Sequence, residues 1–233
     1  MKKTCHGLLL FLCVLAIVAS VAFTSTKVNA SEPTEQQLLI DQARITFQSM
    51  MSEYRMEWLR DNFHQAKGVL IIPRMLKAGF ILGGSGGRGV LLVRDSHTGQ
   101  WSQPAFYTLG TASVGFQIGG ETAEIIMMVR TQKAVDKLLA TSFKLGGDIS
   151  LTTGPVGQGV KSNVMADIYS FARSQGLFGG VALDGTIITT RDKWNIEYYG
   201  QTVTPADILI SNIVRNPGSV ELREAVASAA RKK

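Results

Sequence analysis

The stretch that decides the fold is "AGFILGGSGGRGVLLVRD", residues Ala78–Asp95, which contains five glycines between Gly83 and Gly89. Gly84–Gly89 satisfies the G-x-G-x-x-G spacing of a dinucleotide-binding loop. Such a loop requires a helix directly after the glycines and an acidic residue about 20 residues further on. Here the glycines continue into the β-rich run Val90–Val93, and no acidic residue lies between Asp95 and Glu121. The glycines are therefore predicted to serve sheet geometry, with no nucleotide partner.

A related pattern, F-x-Φ-G-G with Φ aliphatic, occurs at Phe80–Gly84, Phe116–Gly120 and Phe143–Gly147. Its spacing is irregular, which argues against a solenoid repeat. Phe and the aliphatic residue share one face of a strand, and the paired glycines permit a bend or a bulge. The pattern predicts a bent strand used several times.

The remaining sequence predicts helices on either side of these strands. Pro33–Ala66 reads as one long helix or two joined helices, and Thr131–Thr141 is a helix capped by Thr131. Asp184-Gly185 predicts a hairpin turn, and helices are expected to open at Thr204 and to span Pro217–Ala230. The predicted fold is α+β: a glycine-rich antiparallel β-sheet or partial barrel with packed helices, preceded by a long N-terminal helix.

The N-terminus carries the pattern of a secretory signal peptide. Lys2 and Lys3 precede the apolar run Leu8–Ala22, and small residues end at Ala30, where we expect cleavage. The alternative is an uncleaved membrane anchor, although the apolar run is shorter than the ~20 residues that span a bilayer. The expected organisation is a signal peptide (1–30), an N-terminal helical segment (31–66) and a binding domain (67–233), in the periplasm or secreted.

Cysteine content and charge limit the chemistry of the mature chain. Both cysteines, Cys5 and Cys13, lie in the leader, so disulfides, thiol nucleophiles and thiolate metal sites are not expected. The net charge of +6 includes three leader lysines, which leaves 21 basic against 18 acidic residues. This small excess permits contact with anionic surfaces, and no basic block indicates a nucleic-acid partner.

No catalytic or metal-binding constellation is evident. His64 and His97, the histidines outside the leader, lack partners at ligand spacing, and Ser113 does not form G-x-S-x-G. The sequence leaves a Ser-His-Asp hydrolase open but unsupported, and we expect no enzyme activity, no metal and no cofactor. The aromatic clusters Trp101–Tyr107 and Trp194 with Tyr198 and Tyr199 are expected mainly in the core.

Basic residues are dispersed through the glycine-rich half of the chain. A glycine-rich turn beside an arginine can present amides and a guanidinium group to a phosphate headgroup, although solvated surface charge is the simpler interpretation. The candidate lipid-binding residues are Lys67, Arg74, Lys77, Arg88, Arg94, Lys144, Lys161 and Arg173.

Four motifs occur together and in order: "AKGVLIIPRMLKAGFILGGSGGRGVLLVRD", "GQWSQPAFYTLGTASVGFQIGG", "LGGDISLTTGPVG" and "SQGLFGGVALDG". Between about Ala66 and Ile210 the chain resembles the SYLF domain family, which includes bacterial secreted members and eukaryotic actin-patch Las17-binding regulators. The sharpest part is Trp101-Ser102-x-Pro104 followed by Gly115-x-Gln117-x-Gly119.

The resemblance implies a non-catalytic, lipid-binding domain. We expect binding of phospholipid, especially anionic phospholipid, at the envelope membrane surface or in an apolar cleft, and no actin partner for this exported member. The alternative is an envelope structural or protein-interaction domain that has no lipid ligand.

Overall fold

The computed structural model describes residues 32–79, 82–114, 119–147, 149–157, 159, 165–174, 177–179, 183 and 185–231. Residues from Pro33 onward form one compact unit. The predicted signal peptide and Lys161 lie outside the described residues, as do Phe80 and Phe116 of the repeated glycine pattern.

The helices are α1 (Glu35–Ser52), α2 (Glu57–Asn62), α3 (Gln132–Leu138), α4 (Asp192–Tyr199), α5 (Pro205–Leu209) and α6 (Val220–Ala230). Short 3-10 turns lie at Tyr54–Met56, Phe63–Gln65 and Pro217–Ser219. The strands are β1 (Gly68–Gly79), β2 (Leu82–Val93), β3 (Ala105–Val114), β4 (Gly119–Val129), β5 (Ser142–Lys144), β6 (Leu151–Thr153), β7 (Ile168–Ser174), β8 (Leu177–Gly179) and β9 (Ile187–Thr190).

The strands form one curled sheet, a half-barrel, in the order β5-β9-β3-β2-β1-β4-β7-β6, with β8 also paired to β7. This confirms the predicted α+β class. The sheet is mixed, since β6 and β7 are parallel, whereas the other pairings are antiparallel. The connection between β6 and β7 is long enough for the crossover that a parallel pair requires.

Both faces of the central strands are covered, which explains their continuous apolar runs. Side chains alternate across a strand, so Leu70 and Leu91 join a core cluster on one face together with residues of α3 and α5. Val69 and Val90 join a second cluster on the opposite face, with residues of α1, α2, α4 and α6. The sheet is therefore the middle layer between two sets of helices.

A bulge in β1 explains two glycines of the opening stretch. β1 shifts register against β2 between Ile71 and Arg74, and against β4 between Ile72 and Met75, so Pro73 lies in the bulge. Proline cannot donate a ladder hydrogen bond, which suits this position. A Cβ at Gly89 would lie 2.7 Å from the carbonyl oxygen of Ile71, and one at Gly87 would lie 2.9 Å from that of Arg74. The glycines lie inside β2 and serve sheet geometry, as predicted.

The N-terminal segment adopts the second of the two predicted arrangements, joined helices. The hydroxyl of Thr34 accepts from the amide of Gln37 and caps α1. Phe47 and Met50 on α1 are buried, but Glu53 has extended backbone and ends the helix. The apolar stripe is interrupted there, and Tyr54 is exposed.

Local capping signals were predicted correctly, whereas the strand pairing expected at one turn was not. Thr131 caps α3, and Thr204 forms a capping box with Asp207 at the start of α5. Asp184 lies outside the described residues, but the amide of Thr186 donates to the carbonyl oxygen of Leu183 at 3.0 Å, the hydrogen bond of the predicted turn. The hairpin pairing predicted at Asp184-Gly185 is wrong. β8 pairs with β7, whereas β9 pairs with β3 and β5, and Leu183 lies outside any strand. Gly185 has a φ of 79° and donates its amide to Leu145 instead.

Candidate functional site

The candidate basic residues do not form a single patch. Lys67 directly precedes β1, and Arg74 lies within β1 after its apolar run. Lys144 lies on the edge strand β5. All three residues are exposed. Lys77 is three residues beyond Arg74 in regular register, so it points to the opposite face of the sheet. Lys161 lies outside the described residues.

Two candidates are held by internal contacts. Arg94 donates from Nη1 to the carbonyl oxygen of His64 at 2.8 Å and from Nε to that of Gly99 at 3.2 Å. Arg173 donates from Nε to Glu124 at 2.6 Å and lies 3.4 Å from the Glu53 carboxylate. These guanidinium groups tie parts of the fold together, and their assignment to lipid remains a sequence-based prediction.

Arg74 and Arg88 are the two candidates that the sheet brings together. They are cross-strand partners on β1 and β2, and directly opposed residues project from the same face. Both are exposed. Among the residues that the structure describes, none forms an ion pair with Arg74. Like charges placed opposite each other on a sheet destabilise it, so an anion at this pair would relieve a repulsion.

Arg191, which was not among the candidates, extends this cluster. Its guanidinium carbon lies 4.0 Å from the ring centroid of Trp194 on α4, and that of Arg88 lies 4.9 Å from the same ring. Nη1 of Arg191 donates to the hydroxyl of Thr108 at 3.2 Å. Thr108 is the cross-strand partner of Arg88 on β3. The available sequence signal was Arg191-x-x-Trp194, an i,i+3 spacing at the start of a helix.

The pKa of Arg191 reflects both its burial and the nearby positive charge of Arg88. Burial lowers the pKa of Arg191 below the ordinary arginine value, and the positive charge of Arg88 lowers it further. The carboxylates of Glu35 and Glu197 oppose this effect. Glu35 is the first residue of α1, and its Oε2 lies 3.4 Å from Nη1 of Arg88. The cluster therefore combines strong positive charge with one loosely paired acidic residue.

The aromatic residues of both predicted clusters are buried, except Tyr199, which is partly buried. Trp101 stacks on Phe63 with ring centroids 5.9 Å apart, and the guanidinium group of Arg223 donates to the carbonyl oxygens of Trp101 and Ser102. Gln103 is buried and accepts from the amide of Asn216 at 3.2 Å. The "WSQP" element thus anchors the C-terminal helix to the sheet, which confirms the core interpretation of this cluster.

The described residues show neither a metal site nor a spanning helix. Within them, no three His, Cys, Asp or Glu side chains are grouped in a way that could hold a metal ion. No helix in the same part of the chain has the length and apolar character needed to cross a bilayer. The carboxylate of Asp167 accepts from Thr131 and Ser150, and hydrogen bonding to Thr131 lowers its pKa. This residue links the start of α3 to Ser150, which precedes β6.

Comparison with known proteins gives the family. The model of the family described as "Ysc84: Las17-binding protein actin regulator" matches residues 110–229, just over half of the 233-residue chain. The chain belongs to this family. The resemblance to the SYLF domain is thereby confirmed, and the described family is one of binding and regulatory proteins.

Eukaryotic proteins are among the curated relatives of this SYLF protein. "SH3 domain-containing YSC84-like protein 1" of Homo sapiens is 30% identical over 169 residues, 70% of this chain and 49% of that protein. "LAS seventeen-binding protein 3" of Saccharomyces cerevisiae is 32% identical over 168 residues, 69% of this chain and 36% of that protein. The chain spans about half the length, or less, of these curated relatives.

Proposed function

We propose that this SYLF protein binds anionic phospholipid without catalysis, at the envelope membrane surface after export. The observation that carries the proposal is the exposed pair Arg74 and Arg88, placed in register on adjacent strands. Two arginines opposite each other on neighbouring strands can present two guanidinium groups to one phosphate group, with matching charge and hydrogen-bonding capacity. The proposed export is supported by the signal-peptide pattern of residues 1–30.

Headgroup docking is the mode of binding that this geometry favours over an apolar cleft. The central strands are covered on both faces by helices, whereas Arg74 and Arg88 lie beyond the β1 bulge, where the sheet is exposed. Binding through such charges weakens as salt is added, because ions screen exposed charges beyond about 8 Å at physiological ionic strength. Burial of acyl chains would be nearly insensitive to salt.

A protein partner is the second candidate function. The names of the family and of the yeast relative describe Las17 binding and actin regulation, which favours an interaction domain. The sequence-based expectation that actin is not a partner remains untested. An interaction domain of this kind would bind a protein surface and show no preference for anionic vesicles.

Vesicle co-sedimentation separates these functions. The full chain would be expressed with its own leader, purified as the host releases it, and its N-terminus assigned by intact mass. We expect binding to vesicles containing phosphatidylglycerol, little binding to phosphatidylcholine, and a loss of binding at high salt. Absence of binding to both vesicles by the folded protein would refute the lipid proposal and leave the protein-interaction function, with actin co-sedimentation as its first test.

A charge-matched variant locates the surface. Replacing both Arg74 and Arg88 by Ala should weaken vesicle binding about tenfold or more, since each charged hydrogen bond contributes roughly 1.5 kcal/mol or more. Replacing Lys133 and Arg215 by Ala removes the same charge from exposed positions that are not among the candidate residues. Equal losses in the two variants would show that net charge alone is responsible.

A further inference from the structure

We propose that Arg88 and Arg191 form a phosphate-binding site which the carboxylate of Glu35 occupies in the free protein. The proposal rests on the proposed function, because the phosphate group in question is that of a phospholipid. The site adds Arg191 as a direct contact, Trp194 as a positioning residue and Glu35 as an internal competitor.

The first step is the shared aromatic ring. The guanidinium carbons of Arg88 and Arg191 lie 4.9 and 4.0 Å from the ring centroid of Trp194. Trp194 is itself buried and packs edge-on against Phe106, with ring centroids 5.8 Å apart. A fixed ring that attracts both cations holds them next to each other against their mutual repulsion. Their donors are thereby arranged before any ligand arrives.

The second step is the incomplete hydrogen bonding of Arg191. Nη1 donates to Thr108, but within the described part of the chain the buried Nε has no acceptor. Burial and the adjacent Arg88 both disfavour the charged guanidinium group. A dianionic or monoanionic phosphate beside the two arginines would offset both effects and accept several hydrogen bonds at once.

The third step concerns the strength of the contact that Glu35 makes. Its Oε2 lies 3.4 Å from Arg88 Nη1, and the two side chains are 71% and 51% exposed. An exposed ion pair of this length is weak and readily displaced. The other nearby carboxylate, Glu197, accepts from Gln36 at 2.7 Å and lies 3.8 Å from Lys193. Glu35 is therefore the acid that a phosphate group would displace.

Two charge-neutralising variants test the competitor. Glu35→Gln should strengthen binding to phosphatidylglycerol vesicles about two- to fivefold, the equivalent of losing one exposed ion pair. Glu221→Gln is the matched control, since Glu221 forms a comparable surface pair with Arg44 at 3.1 Å. The same gain in both variants would show an effect of net charge and overturn the competitor role.

Two arginine variants test the contact. Arg191→Ala should weaken vesicle binding about tenfold. Arg55→Ala is the control, because Arg55 also lies over an aromatic ring, 5.6 Å from the centroid of Tyr54. Trp194→Phe should weaken binding less than Arg191→Ala, and circular dichroism and thermal unfolding would establish that each variant is folded. An Arg191→Ala variant that is folded and binds like Arg55→Ala would overturn the site.

A binding assay with soluble phosphate compounds distinguishes this site from the proposed function. Titration with glycerol 3-phosphate and with inorganic phosphate, followed by tryptophan fluorescence, measures the site without a membrane. If wild-type protein binds no vesicles but Arg191→Ala loses phosphate binding, the site stands and the lipid function fails. If vesicles bind and none of the variants differs from its control, the lipid function stands and the site is refuted. Failure of both assays refutes both proposals.

Discussion

Gly89 on β2 lies directly against the main chain of Ile71 on β1, where β1 bulges around Pro73. A Cβ atom at Gly89 would lie 2.7 Å from the carbonyl oxygen of Ile71 and 3.0 Å from Cγ1 of Ile72. Because both of these groups are held in the buried centre of the sheet, neither can move away without disturbing the strands on either side. The bulge in β1 therefore requires a residue without a side chain at position 89 of β2.

Replacing Gly89 by Ala should lower the free energy of unfolding by about 1–3 kcal/mol, the usual cost of overpacking a core. Gly110→Ala on β3 is the matched control, since a Cβ there would have no neighbour within 4 Å. Urea denaturation followed by circular dichroism measures both variants. Equal stability of Gly89→Ala and the wild type would show that β1 can shift, contrary to the packing described.

Replacing Gln103 by Leu should loosen the attachment of the C-terminal helix. Oε1 of Gln103 accepts from the amide of Asn216 at 3.2 Å and lies 2.7 Å from the hydroxyl of Ser219. Leucine leaves the partly buried amide of Asn216 without its acceptor, whereas the Ser219 hydroxyl retains the carbonyl oxygen of Asn216 at 2.9 Å. The loss should cost about 1–3 kcal/mol of folding stability. Hydrogen exchange of α6 amides should increase in this variant, whereas the exposed substitution Gln100→Leu should leave exchange unchanged.

Replacing Arg173 by Ala should reduce stability and leave vesicle binding by the folded fraction unchanged. Arg173 contacts Glu124 on β4 and Ser49 and Glu53 at the end of α1, so its loss leaves partly buried carboxylates close together. We expect a loss of about 1–3 kcal/mol. Arg44→Ala, which leaves only the exposed carboxylate of Glu221 without its partner, should cost less than about 1 kcal/mol. Weakened vesicle binding by fully folded Arg173→Ala would restore this residue to the lipid site.

The hydrogen bonds accepted by Asp167 should make part of the free energy of unfolding depend on pH. Hydrogen bonds from Thr131 and Ser150 lower the pKa of Asp167 below its usual value. A lowered folded-state pKa stabilises the protein above the unfolded pKa of about 3.9, and this contribution disappears as the pH falls through the folded pKa. Asp167→Asn should therefore cost up to about 1 kcal/mol at neutral pH and almost nothing near pH 2.

Denaturant titrations at both pH values measure this difference. Asp61→Asn serves as the control, because Asp61 is exposed and no side-chain hydrogen bond to it is seen in the described structure. A constant difference between Asp167→Asn and the wild type across the acidic range would contradict the assigned hydrogen bonds.

Local signals in the sequence predicted most elements of this fold. Thr34, Thr131 and Thr204 cap helices because their hydroxyls satisfy free amides of the first turn, an interaction that depends only on neighbouring residues. The strands were predicted from local runs of apolar, β-branched residues. Burial of the aromatic side chains was predicted from their residue type. The hairpin pairing expected at Asp184-Gly185 was wrong because strand partners depend on the whole sheet, and β9 pairs with β3 and β5.

The candidate site could be predicted only in part. Arg88 was identified because it lies within the glycine stretch. Arg191 is distant from Arg88 in sequence, and the two meet at the ring of Trp194 only once α4 packs on the sheet. The sequence also gave no sign that Arg74 and Lys77 project from opposite faces of the sheet. Their relative orientation depends on the strand register beyond the bulge, which the sequence does not specify.

The packing of α1 on α6 has a consequence for the order of folding. Arg44 pairs with Glu221, Gln37 donates to the carbonyl of Gly218, and both helices contribute to the same core cluster. Contacts between segments so distant in sequence form late and slow the folding reaction. A chain emerging from the ribosome completes this cluster only when α6 is free. Until then the part of α1 that α6 covers stays exposed, and apolar surface of this kind is prone to aggregation during synthesis.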